Sequence, residues 1–455
     1  MFIRLLCRFV LLITASVQPF AGKALSAENI TLLEAYEMAR ESAPGLGVAR
    51  YKVDLAEAER DIARGQILPS LSAFGQWSEN EVEFHAGDSS GYGFQEYAGK
   101  RYGWQVKQSL INVSNWREYR RRSAMFSRSE DDLANAELQL LGAVTEAYLN
   151  VLLATLDAEV LEQELAALVR QQEESEALYE VRFLPVTQVL ETKSRRDSVK
   201  ADLLHAQGQA DIAREQLIEL IGVRGVEPFP VSETVNLQAQ ISSAVEAAQR
   251  ALENSPEIAA AEDGVTAARE AVERERGGWL PEVDLLIGSQ YSDVGFDNLV
   301  APPRTAESVQ ISVNYPIFEG GAGVARLRAA RAEFNGAMLE LEDAKRKAES
   351  RARSAWAHYN AATERVAAAK QAESTAEISL QASRKALKAG TARVTDVLLA
   401  LAQRTGAQRD HGAARFQRSI AWLELELTAG ENPMDLAVLL SAALTATNAS
   451  ALASQ

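Results

Sequence analysis

Two stretches of this chain are too long to belong to a compact domain. Over 117–181 only Gly142 interrupts good helix formers, and over 324–388 only Gly336 does. No proline occurs between Pro69 and Pro185, nor between Pro316 and Pro433. Proline disrupts a helix interior at about 3 kcal/mol, so its absence permits unbroken helices. At 1.5 Å per residue each stretch makes a rod roughly 100 Å long.

The second rod shows its seam. Leu327, Ala330, Phe334, Ala337, Leu341, Ala344, Ala348, Ala352, Ala355, Tyr359, Ala362, Val366 and Ala369 recur at steps of three and four. That is the period of a coiled coil, and the alanines allow close helix approach. The first rod has two stripes: Leu141, Val144, Tyr148 and Val151, then Leu149, Leu152, Leu156 and Val160 rotated around the helix. Two stripes imply neighbours on both sides, as in a closed ring of helices; a dimeric coiled coil would need only one.

The rods belong to a duplication. Pro44 is answered by Pro256 and Leu68-Pro69 by Leu280-Pro281, both at an offset of 212. The segment 186–190 is answered by 394–398 at an offset of 208. Solenoid repeats run roughly 20–50 residues, so this is a duplicated domain. Helical segments open each copy at about 31–66 and 243–279, and shorter helices at about 187–220 and 394–428 follow the rods. Joined by short turns, these pack antiparallel to the rods.

Before each rod the period changes from 3.6 to 2. Leu71, Ala73, Gly75 and Trp77 oppose Ser70, Ser72 and Gln76, with Phe74 the exception. Trp104, Val106 and Leu110 oppose Gln105, Lys107 and Ser109. Val283, Leu285, Ile287 and Tyr291 oppose Glu282, Asp284 and Gln290. Val309, Ile311, Val313 and Tyr315 oppose Ser308, Gln310, Ser312 and Asn314. Strands are expected at about 69–77, 104–112, 281–291 and 307–317. A membrane barrel with a wet lumen and a soluble two-layer sheet both use this alternation. Aromatic residues expected near strand ends (Trp77, Trp104, Tyr291, Tyr315) favour the membrane. The polar connections 78–103 and 292–307 read as exposed loops. Four strands cannot close a barrel, and open edges do not survive in lipid, so the barrel is shared between chains. Two, three or four chains would give eight, twelve or sixteen strands.

The N-terminus reads as a secretory signal over 1–27, with Arg4 and Arg8 before an apolar run too short to span a membrane. The only cysteine, Cys7, lies inside it and precedes the apolar run, which excludes acylation there and any disulfide in the mature chain. Losing Arg4, Arg8 and Lys23 takes the formal charge from −16 to −19, which argues against a nucleic-acid partner. The four histidines (His85, His205, His358, His411) show no metal-ligand spacing. No phosphate loop, nucleophile elbow or zinc motif is present, so no catalytic, cofactor or metal residue is expected. The organisation expected is a first repeat over 28–222, a linker over 223–240, a second repeat over 241–430 and a tail over 431–455. The tail packs around 434–444 and then frays.

Taken together, these features resemble the TolC-type outer-membrane efflux proteins. The specific patches are residues 108–117 (QSLINVSNWR), 315–321 (YPIFEGG), 389–398 (AGTARVTDVL) and its partner at 186–190. The resemblance implies a mixed α and β fold: a homotrimer with four strands per chain in a shared 12-stranded membrane barrel, above a long antiparallel coiled-coil α-helical barrel. It implies a passive exit duct of a tripartite efflux or type I secretion system, set in the outer membrane and reaching through the periplasm. A periplasmic adaptor and an inner-membrane pump are its partners.

The turns before Val186 and Val394 would form the far tip, which in this family is closed by polar bonds and an acidic ring. The residues carried over are Asp396, Thr187, Gln188, Glu191 and Arg393. Asp396 matches one acid of the ring; the second falls at Leu399, with Glu191 as a substitute. Thr187 matches a gate-bond acceptor, and Gln188 stands where the gate aspartate would be. Leu387 and Ala392 replace a tyrosine and an arginine, and Arg182 stands where the first copy usually has glycine. The alternative for Asp396 is an acid favoured by the helix dipole, and Glu191 reads better as a solvated helix acid. The competing reading is a periplasmic coiled-coil adaptor protein, which lacks duplicated amphipathic strands.

Overall fold

The computed structural model describes residues 28–84, 93–229, 237–293 and 303–445. The signal segment with its cleavage point, His85 and the residues after Thr445 lie outside them.

The first copy runs β1 (Glu28–Ile30), α1 (Leu32–Ser42), α2 (Pro44–Gly65), β2 (Ser70–Phe84), β3 (Gly93–Ile111), α3 (Val113–Glu180), α4 (Val186–Ile221) and β4 (Val226–Pro228). The second runs α5 (Ala244–Asn254), α6 (Pro256–Gly277), β5 (Glu282–Ser292), β6 (Arg304–Asn314), α7 (Ala322–Lys388) and α8 (Val394–Thr428), with α9 (Pro433–Thr445) after it. The rods α3 and α7 contain 68 and 67 residues, which is roughly 100 Å each. Pro44 and Pro256 end the helices before them, because a residue preceding proline is pushed to extended geometry.

Matching devices fix both copies at mid-height. Thr31 and Glu34 cap α1 reciprocally, and Ser243 caps α5 through the Glu246 amide. The buried Tyr148 hydroxyl donates to the Ile30 carbonyl and accepts from the Phe229 amide, both at 3.0 Å. In the second copy the Tyr359 hydroxyl does the same for the Leu237 carbonyl and the Ala239 amide, both at 3.2 Å. Around Tyr148 the main core gathers Tyr36, Leu141, Leu217, Trp422 and Leu440. Leu141, Val144, Tyr148 and Val151 are all buried, and Leu149 and Val160 of the second stripe are too. On α7 the seam is tightest at Ala344, Ala348, Ala352 and Ala355, which are buried beneath α5 and α6 or against α8.

The four long strands form one antiparallel sheet in the order β2-β3-β5-β6. Its register puts Leu71, Val106, Ile287 and Val309 in one row, all on the apolar face. The opposite face is polar: Lys107 pairs with Asp284 at 2.8 Å, and Arg101 donates to Gln290 at 2.7 Å. Phe74 breaks the pattern because it covers Gly103. There the strands approach so closely that a Cβ would sit 2.3 Å from the Ser289 carbonyl.

The structure corrects the strand bounds of the first copy. Residues 78–84 and 93–103, expected as loop, are strand, so β2 and β3 run well past β5 and β6. In this extension Glu79 and Glu81 fall in the positions that continue the apolar face of 71–77, so the alternation of the wall is not kept. Backbone pairing continues there, from Ser78↔Gly99 to Phe84↔Gly93. Trp77 and Trp104 therefore lie within their strands, opposite Lys100 and Ala73, and not at the ends. In the second copy β6 stops at Asn314 rather than 317, since Pro316 has no N–H to give to a ladder. α3 starts at Val113, not 117, because the Asn112 side chain accepts from the Asn115 amide and caps it there.

Candidate functional site at the helical tip

Each rod ends in a tight reversal built by a Schellman motif. After α7 the Thr391 amide bonds to the Ala386 carbonyl and the Gly390 amide to Leu387, with Gly390 at φ 71°. After α3 the same pattern joins Phe183 to Leu178 and Arg182 to Tyr179. Here Arg182 occupies the left-handed position at φ 59°, the only non-glycine to do so among the described residues.

Behind the two turns lies a second core: Leu161 and Leu168 of α3, Val199 and Leu203 of α4, Leu380 of α7, and Val394, Val397 and Leu401 of α8. Leu387 is half-buried against it. Within this core Glu164 is 1% exposed and is held by Arg195 at 2.8 Å.

Asp396 lies exposed on the first turn of α8, and one oxygen accepts from the Arg393 amide at 2.8 Å. Its other oxygen makes no hydrogen bond among the described residues. The dipole-favoured position and a pore-facing acid are therefore compatible in one carboxylate. The Arg393 side chain is exposed and unpaired among the described residues. Glu191 accepts from the Thr395 hydroxyl at 2.8 Å, which ties α4 of the first copy to α8 of the second beside Asp396. Thr187 is exposed on the first turn of α4. Gln188 carries its amide into that turn, and its side-chain oxygen is buried without a hydrogen-bond partner among the described residues. The structure thus brings Glu191, Thr395, Asp396 and Arg393 together, with Thr187 and Gln188 one turn before Glu191.

Two ties were missed by sequence reasoning. Thr395 was read only as part of a repeated patch. Arg409 of α8 reaches Asp157 of α3 at 2.8 Å, and that bond together with the charge of Asp157 and Asp202 raises the guanidinium's pKa. The partners are 252 positions apart, so no spacing rule could have found them.

The outer membrane efflux protein family matches residues 35–223 and 247–431, one segment in each copy. Outer membrane protein TolC of Escherichia coli is 26% identical over 94% of this chain and 87% of its own length. Alkaline protease secretion protein AprF of Pseudomonas aeruginosa is 25% identical over 88% of this chain and 84% of its own. The CmeC outer membrane channel of Campylobacter jejuni superposes with a TM-score of 0.78 at 15% identity, covering 93% of this chain and 94% of that one, a likeness of fold. The chain belongs to the outer membrane efflux protein family. It is an outer-membrane exit duct of an efflux or type I secretion system, and the adaptor reading is displaced.

Proposed function

We propose that three copies close sheet and rods into one continuous duct, gated at the helical tip. What carries this reading is the sheet: amphipathic, four-stranded and open at both edges, β2 and β6. In lipid every backbone N–H and C=O needs a partner, so each β6 must meet the β2 of a neighbour. Three copies then make twelve strands, within the range of closed membrane barrels.

The duplication supports the helical ring in the same way. Within the chain α6 lies between the rods α3 and α7, whereas its equivalent α2 packs extensively only on α3. The outer stripe of α2 (Val48, Tyr51, Leu55, Ile62) is 55–74% exposed and recurs at helical spacing. At the matching offset on α6, Ala260 and Ala267 are buried. The α2 stripe therefore suits α7 of the next copy.

The duct itself is passive and no residue in it is catalytic. A periplasmic adaptor and an inner-membrane pump at the tip supply energy and choose cargo. Opening parts the two hairpins, which Thr395–Glu191, Arg409–Asp157 and the second core hold together. Three Asp396 carboxylates narrow the closed mouth and bind divalent cations. The test is the conductance of the detergent-extracted oligomer in a planar bilayer, with divalent cations on the helical side, alongside its native mass. Three chains and discrete, cation-blocked openings are expected, with block lost in Asp396→Ala. Block unchanged in that variant would remove the ring but keep the duct. A folded oligomer without conductance would overturn the duct.

A further inference from the structure

We propose that the groove where β6 hands over to α7 seats an acyl chain of a phospholipid in the inner leaflet of the outer membrane. The two copies differ at this junction. In the first, Asn112 alone separates β3 from α3, and polar bonds tie this junction to the ends of α2 and α6. Gln108 donates to the Ile67 carbonyl at 2.8 Å, Asn115 to Gln66 at 3.4 Å, and Ser114 to Arg274 at 3.1 Å. In the second, residues 315–321 intervene. α7 opens on Gly321 with no side-chain cap, and a groove of about 250 Å³ lies where the first copy is stitched. Trp279, Tyr315, Pro316, Ile317, Phe318 and Val324 line it.

The occupant follows from what the groove continues. Val309, Ile311 and Val313 form the apolar column of β6, and Tyr315 and Ile317 prolong it past the end of the ladder. All five are more than half exposed, and Ile317 and Phe318 are each 86% exposed. An apolar column on the lipid face of a barrel wall is covered by acyl chains, and the groove is its open lower end. The helix-side rim is ionic instead. Glu319, which lines the groove, is bonded to Arg326, and Arg326 also reaches Glu275 at 3.5 Å. An apolar bay that ends on an ionic rim, where Arg326 is shared by Glu319 and Glu275, matches an acyl chain whose run stops at headgroup depth. An aromatic wall such as Trp279 suits that depth, because indole has an apolar body and one polar N–H.

The inference rests on the sheet being a barrel wall. Its test therefore keeps the oligomer's mass and conductance as controls. Delipidated protein is incubated with phosphatidylethanolamine and weighed by native mass spectrometry. Wild type is expected to retain up to one lipid per chain. Ile317→Ser combined with Phe318→Ser should retain at least tenfold less, with assembly and conductance unchanged. In parallel, phosphatidylethanolamine brominated along its acyl chains should quench wild type more than Trp279→Phe, a comparison that stands even if the double variant fails to fold. Equal retention by both proteins, or equal quenching with and without Trp279, would overturn the proposal. So would a double variant that falls to monomers while wild type holds no lipid, which would make the groove a contact between copies.

Discussion

Arg182 shows how one residue can disagree with the turn it occupies. The reversal after α3 needs a left-handed residue, which costs an L side chain roughly 1–2 kcal/mol, and the second copy meets the same need with Gly390. Arg182→Gly should therefore stabilise the tip by roughly 0.5–1 kcal/mol once the added freedom of the unfolded chain is counted, read as a higher midpoint of thermal unfolding. The converse Gly390→Arg should lower it. Glu118 is a residue held the other way. Burial pushes its pKa up, but bonds from Arg121, Arg274 and Arg122 outweigh this and bring it down to about 2. A depressed carboxylate stabilises the fold above its unfolded pKa of about 4.5, and that contribution fades as pH falls towards 2. With solvent screening counted, Glu118→Gln should cost about 1–2 kcal/mol at pH 7, and the difference from wild type should close across that acid window. Neither property was legible in the sequence. Glu118 precedes Arg121 and Arg122 visibly, but Arg274, its third partner, comes from the other copy. The Asp396 cap, by contrast, could be anticipated from an acid placed just inside a helix start.

Among the elements, the rods were the most legible and the first-copy strands the least. Absence of proline and a three-four seam leave a long stretch one option. A strand announces itself by strict alternation, and 78–84 and 93–103 lack it, with Glu79 and Glu81 where the apolar face should continue and Gly93, Gly99 and Gly103 among the paired residues. Element positions at mid-height depend on the two tyrosine clips. Tyr148→Phe would remove the hydroxyl shared by the Ile30 carbonyl and the Phe229 amide, leaving only their bond to each other at 2.9 Å, at a cost of about 0.5–1.5 kcal/mol. Hydrogen exchange should then show β1 and β4 opening together, since their parallel pairing is short and both ends of the clip are lost at once. Faster exchange confined to one of the two strands would mean that the hydroxyl does not couple them.

For the whole molecule, the sheet faces set the membrane boundary. Ile311 lies on the apolar face, in the same column as Val309 and Val313. A lysine there meets hydrocarbon, and Ile311→Lys should cost about 2–4 kcal/mol if the row lies near the midplane. Ser312→Lys, one step along and facing the lumen, should cost little, and the contrast in heat-resistant oligomer measures which face is wet. The faces were readable from the period-2 pattern. The packing between copies was not, because an unpaired edge states that a partner exists without naming it.

The two copies agree closely in their rods and disagree at both extremities. Above, among the described residues, only the first sends a strand pair beyond the wall; below, only the second turns on glycine. In a ring of three such chains the middle of the duct approximates sixfold symmetry, while each mouth has only threefold symmetry. A solute crossing it would meet nearly the same wall six times per circuit. A partner gripping the tip would find two alternating kinds of knuckle, and so a way to distinguish three seats from the three between them.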